Sequence, residues 1–187
     1  MRRIVLIPAF LLAACALAAP SASAADWKLL PGGALTFTGA QTGAPFTGAF
    51  AKFDAAISLD PDALQSAKIV VTIDMASAGS GDKQRDSALP GKDWFDVASF
   101  PQAKFESHQV TRKGDGYDAA GDLTIRGVTK AIHLPFTLVI DGRSAHAKGH
   151  VDLKRDVFGV GQGEWASGDM VALDVAVDFD LKAERKD

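Results

Sequence analysis

The chain has 187 residues, 47% of them hydrophobic and 23% charged, with a formal charge of −3, the balance of one packed domain. The acidic excess, with no basic stripe, excludes nucleic acid as a partner. Cys15 is the single cysteine, so a disulfide framework is excluded as well.

Residues 1–24 read as a secretory signal. Met1-Arg2-Arg3 is a positive start, Ile4 to Ala19 is apolar, and Ala22-Ser23-Ala24 offers small residues at a cleavage site. Cleavage is expected after Ala24, which places the domain at 25–187 in the periplasm. The rival reading is a lipobox, Leu12-Ala13-Ala14-Cys15, with Cys15 as a lipidated first residue. Against it, Cys15 sits inside the apolar run and is followed by Ala16-Leu17-Ala18 rather than a polar tether. Setting aside Arg2 and Arg3 leaves 18 of the 20 basic residues against 23 acidic ones.

From there the chain is all-β in pattern. Segments 34–39 and 47–58 are weak strand candidates. Ala67 to Asp74 sets Ile69, Val71 and Ile73 against Lys68, Thr72 and Asp74. Segments 102–110 and 116–126 follow after an interruption. Thr129 to Asp141 puts Ile132, Leu134, Phe136, Leu138 and Ile140 on one face, and 144–154 is another candidate. Met170 to Lys182 alternates strictly, with Val171, Leu173, Val175, Val177, Phe179 and Leu181 opposite Asp174, Asp178 and Asp180. Period-two alternation means antiparallel strands with one dry face, and eight such segments suit a small closed barrel.

The parity of these faces predicts the turns. The apolar face is odd in 116–126 and even in 129–140, so the loop must be even in length; Gly127-Val128 fits as a type II′ pair. Asp141 to Ser144 is the even loop of the next hairpin. Between 102–110 and 116–126 both faces are odd, which calls for an odd loop, Gly114-Asp115-Gly116.

Residues 76–101 interrupt the alternation. They hold Gly79, Gly81, Pro90 and Gly91, a helix-compatible stretch from Asp82 to Leu89, and the aromatics Trp94, Phe95 and Phe100. An apolar-aromatic insertion of this length is a plug or a lid over the mouth. Asp82 is placed to cap the helix. Arg85 either pairs with an aspartate to pin the lid or offers a guanidinium to a ligand's phosphate or carbonyl oxygen.

Several stretches, in order, resemble the YceI-like family. They are Gly81 to Asp86, Asp93-Trp94-Phe95-Asp96-Val97-Ala98-Ser99-Phe100-Pro101, Lys104 to Ser107, Gly121 to Lys130, and Arg155-Asp156-Val157-Phe158-Gly159-Val160-Gly161. The resemblance implies a lipocalin-like, eight-stranded antiparallel barrel in the periplasm, enclosing a polyisoprenoid or another long amphiphile. It carries over no catalytic residue set.

The remaining constellations are weaker. His146 and His150 share a strand face about 13 Å apart, too far for one metal ion, and nearby ligands are lacking. Gly159 to Gly163 has glycines but no following helix to hold a phosphate. No serine stands in a nucleophile motif. No catalytic residue, metal or cofactor is therefore expected.

The barrel interior is left as the site. Ala119 and Gly121 on one strand, and Ala147 and Gly149 on another, flank Leu134, Phe136 and Leu138. Missing side chains beside large ones leave a trough, or mark a tight bend. With Phe105, Arg85 and the three lid aromatics, these residues form the expected binding set. The expected function is a carrier for an isoprenoid-like lipid, a quinone or a polyprenyl phosphate, with transient contact at membrane surfaces. An enzyme on the same scaffold and a solid partner-binding barrel are the alternatives.

Overall fold

The period-two faces form one antiparallel ladder. A computed structural model describes residues 25–187; the expected signal segment 1–24, with Cys15, lies outside them. The strands are β1 (Asp26–Leu29), β2 (Ala34–Gln41), β3 (Ala44–Phe50), β4 (Phe53–Ser58), β5 (Lys68–Asp74), β6 (Ala78–Gly79), β7 (Gln102–Lys113), β8 (Gly116–Ile125), β9 (Val128–Asp141), β10 (Ser144–Lys154) and β11 (Asp174–Arg185).

Three pairs of short strands act as single bent ones. β1 and β2 run along the same edge of β11, with Leu29 opposite Ala183 and Leu35 opposite Phe179. Pro31 and Gly32, at φ +88°, make the break between them. β3 and β4 follow in the same way, as do β5 and β6. Counted thus, eight antiparallel strands run up and down, and β11 closes on β1. The barrel and its eight members agree with the alternation; β1 is a strand the sequence reading did not assign.

The turns need three corrections. Arg126-Gly127, not Gly127-Val128, is the β8–β9 turn, since Ile125 pairs with Val128. Both turn residues have positive φ, +51° and +73°, the type I′ geometry that matches strand twist. Gly142-Arg143 alone turns β9 into β10, although Ala145 opposite Ile140 is the expected register. Between β7 and β8 the loop is Gly114-Asp115, of even length. The odd residue is instead a bulge at His108, between Ser107 and Gln109, which restores Phe105 opposite Leu123.

The insertion forms the helix α1 (Lys83–Ala88) and a chain of turns. Asp82 is its cap, accepting from the Gln84 and Arg85 amides at 3.0 Å each. The insertion and the loop after β10 sit at one end of the barrel. Both termini of the described chain lie at the other. Val110, Tyr117, Ala119 and Phe136 pack within the β7–β9 wall, with Tyr117 stacked on Phe136 at 5.4 Å.

Candidate ligand cavity

Alternation carries every second side chain of each strand into the barrel, and they do not fill it. A cavity of about 250 Å³ remains. Val175, Val177, Phe179, Leu181 and Ala183, five successive inward positions of β11, all line it. At ~3.3 Å per residue that is roughly 26 Å of strand, or about 20 Å along the axis of a tilted barrel. The space is long. It runs from Trp27 and Leu59 at the floor to Leu89, Trp94 and Phe95 beneath the insertion.

The expected binding residues divide in two. Trp94, Phe95, Phe105, Leu134, Phe136, Leu138 and Ala147 line the cavity. Phe100, Ala119, Gly121, Gly149 and Arg85 do not. Ala119 points inward but is wholly buried in packed core between Val110 and Leu134. A Cβ at Gly121 would strike the Glu106 carbonyl, so this glycine lets β8 approach β7 beside the bulge. A Cβ at Gly149 would strike the Phe179 ring and lie 2.6 Å from the Pro135 carbonyl. The trough expected there is filled by Phe179 from the next strand.

Phe100 lies against Gly127, where an added Cβ would come within 2.7 Å of its ring. It anchors the insertion to the β8–β9 turn. Arg85 donates to Ser80 Oγ at 3.0 Å and Gln41 Oε1 at 3.1 Å, and covers the Phe46 ring at 4.5 Å. It thus pins α1 to the β2–β3 hairpin through neutral partners, not through an aspartate. Asp86 accepts from the Ser80 amide and hydroxyl at 2.6 and 2.8 Å. These bonds, the amide first, hold its carboxyl below the usual range.

Arg155 is the one lining residue with a charge, and the binding set read from sequence lacks it. It is 5% exposed. Nε donates to the Ala172 carbonyl at 3.0 Å; Nη1 donates to Val160 and Gly161, and Nη2 to Trp165 and Val171. Five donors meet five backbone acceptors, which is the full capacity of the group. Burial lowers its pKa and nearby Asp156 partly offsets this, but a guanidinium stays charged. Gly161 approaches so closely that any Cβ would collide with Arg155. The glycine-rich stretch after β10 therefore wraps a cation.

This loop is also clasped to the lid. The Asp93 carbonyl accepts from the Gly161 and Gln162 amides at 2.7 Å each. Arg126 bridges the two, donating to the Lys92 carbonyl at 2.6 Å and to the Gly159 carbonyl. Trp94 packs tilted against Trp165 at 5.7 Å, and Phe95 lies 6.2 Å from Phe50. Trp94 Nε1 and Arg126 Nε are buried without a hydrogen-bond partner among the described residues.

Outside the barrel, each of the four histidines meets an aspartate on the neighbouring strand. His108 meets Asp122, His133 meets Asp118, His146 meets Asp180 and His150 meets Asp178, at 2.6–2.9 Å. Among the described residues no group of three or more His, Cys, Asp or Glu could hold a metal ion.

A YceI-like domain model matches residues 27–183. The chain belongs to the YceI-like family. Relatives include a UPF0312 protein of Yersinia pestis, 36% identical over 115 residues, covering 57% of this chain and 60% of that protein. A second, from Photorhabdus laumondii, is 38% identical over 96 residues, covering 51% of this chain and 50% of its own. The chain thus spans three fifths or less of the length of these curated relatives. Among solved structures, Burkholderia cenocepacia BcnA superposes with a TM-score of 0.77 at 35% identity, covering 80% of this chain and 95% of its own. A polyisoprenoid binding domain from Saccharophagus degradans gives 0.67 at 17% identity, covering 87% and 99%. At that identity it shows the YceI-like fold alone.

Proposed function

We propose that this protein binds and carries a long, chain-shaped apolar lipid of the polyisoprenoid type, such as a quinone or a polyprenyl phosphate, in the periplasm. The observation that carries the reading is the cavity's shape and lining: one apolar space from the floor at Trp27 to the lid at Trp94. A compact ligand has no need of such length.

Affinity follows from burial alone. Each methylene taken from water contributes ~0.8 kcal/mol, so roughly ten to fifteen of them suffice for micromolar binding after ordering costs. The cavity presents no carboxylate, histidine, serine or cysteine, and its one cation has every donor engaged. That supports holding a ligand over turning one over. The name of the Saccharophagus degradans domain points to the same ligand class.

Mass spectrometry of an organic extract from protein purified out of the periplasm tests this. A long-chain isoprenoid lipid near one equivalent is expected. An empty extract, with no uptake of added isoprenoid, would overturn the proposal. The same preparation tests export: its intact mass should begin at Ala25, and an acylated Cys15 at the start would make the protein a tethered lipoprotein instead.

A further inference from the structure

We infer that the lid end of the cavity, under Arg155 and Trp94, is a subsite for an anionic head group, a phosphate or a carboxylate, with the lipid tail running down toward Trp27. This rests on the lipid-carrier reading above and adds the direction and charge of the ligand.

Three observations carry it. The cavity lining has a single charged side chain, and it lies at the lid end. That cation is 5% exposed and hydrogen-bonds only to backbone carbonyls among the described residues, with the charge of nearby Asp156 offsetting only part of its burial. Its five carbonyl partners satisfy its donors but leave its net charge in place. A positive charge desolvated beside an apolar space projects its field much further than one in water. Meanwhile Trp94, whose ring covers this guanidinium at 5.3 Å, holds a buried indole N–H with no acceptor. An unpartnered donor and an unpaired cation stand together at the one end of the cavity where a lid can admit a polar group.

The floor has the opposite character. The Trp27 indole N–H donates to the Leu59 carbonyl at 2.9 Å, and the lining around it is Leu29, Ile57 and Ala183. Nothing there offers a bond to a head group, so a ligand inserted head-first would bury its polar end without compensation.

The test uses the unaltered protein and three ligands with one sixteen-carbon tail: hexadecyl phosphate, hexadecanol and hexadecylamine. Each competes against a fluorescent apolar probe at neutral pH. The phosphate is expected to bind at least tenfold more tightly than the amine, with the alcohol between them. A smaller or reversed ratio, with the alcohol bound, overturns the inference and leaves the lipid-carrier reading intact. Failure of all three to bind defeats the carrier reading itself. Hydrogen exchange then locates the head group: hexadecyl phosphate should protect residues 89–97 and 155–165 more than hexadecanol does. Extra protection at the floor, near 57–60, would refute the direction. Arg155→Gln is the complementary variant, in which the phosphate-to-amine ratio should fall toward one; the ligand series decides the matter even where that variant does not fold.

Discussion

The guanidinium carbon of Arg155 stands 5.3 Å from the centre of the Trp94 ring. Through this contact the insertion that covers the barrel and the loop leaving β10 share one support. The Asp93 carbonyl, which accepts two amides from that loop, lies one residue from the same ring. Any displacement of the insertion must therefore carry the loop with it or break these contacts.

Removing the ring should loosen that joint. Trp94→Ala is expected to speed release of bound lipid at least fivefold, read by stopped-flow transfer to acceptor vesicles. Trp94 is only half-buried, so the stability loss should fall below the ~3–5 kcal/mol of a fully buried aromatic. Unfolding, with unchanged release from what survives, would mean the ring is core and not lid.

Asp82 tests the lid from its other end. Its carboxylate accepts from two amides at the start of α1, and an N-cap is worth ~0.5–2 kcal/mol. Asp82→Ala should lower global stability by about 1 kcal/mol or less, because α1 is short, while amide exchange in 83–89 accelerates clearly. Exchange unchanged in α1 would show that Arg85, on Gln41 and Phe46, holds the helix without the cap.

The alternation that produced the barrel was legible because one dry face forces a two-residue period, as in Val175 to Leu181. The bulge at His108 was not, since one extra residue changes neither composition nor the residues on either side. The equal parity of Phe105 and Leu123 demands one odd residue between them, and it fits a three-residue turn as well as the bulge that holds it. Gly121 and Gly149 failed for a related reason. A sequence shows that a side chain is missing, not that the Glu106 carbonyl or the Phe179 ring has taken its space. Arg155 follows β10 on the same odd, inward parity as Val151 and Leu153, a signal that its charge masks, and its five acceptors come from a loop without pattern.

His150 supplies a pH-dependent term on the outer wall. The bond to Asp178 at 2.7 Å, then the charges of Asp178 and Asp152, raise its pKa. A raised folded value means that the protonated form stabilises the fold. The contribution is fully present below about 6.5, the unfolded value. It is lost as pH rises through the folded value. His150→Gln should therefore be less stable than the parent at pH 5.5, by the ~0.2–1 kcal/mol of an exposed pair, and nearly equal to it at pH 8.5. Chemical denaturation at both pH values reads this; a gap that widens with rising pH would reverse the assigned sign.

Ala147 and Gly149 lie two residues apart on β10, both read from sequence as parts of one trough, and the structure gives them opposite surroundings. Ala147 lines the cavity, between Leu138 on β9 and Leu181 on β11. A larger residue there would project into open space. Gly149 has no such space, because Phe179 and the Pro135 carbonyl stand where its Cβ would be. Ala147→Phe should then fold with little loss of stability, as an aromatic residue is at home in a strand. It should also emerge from purification without lipid. Gly149→Ala should cost ~1–3 kcal/mol through overpacking while still carrying lipid at parent levels. Paired measurements of thermal unfolding and extracted lipid separate the two effects. If Ala147→Phe still carries the parent amount of lipid, the ligand does not run along β10, and the cavity's long axis is not its path. If Gly149→Ala proves neutral, Phe179 moves aside freely, and the wall between β10 and β11 is softer than its packing implies.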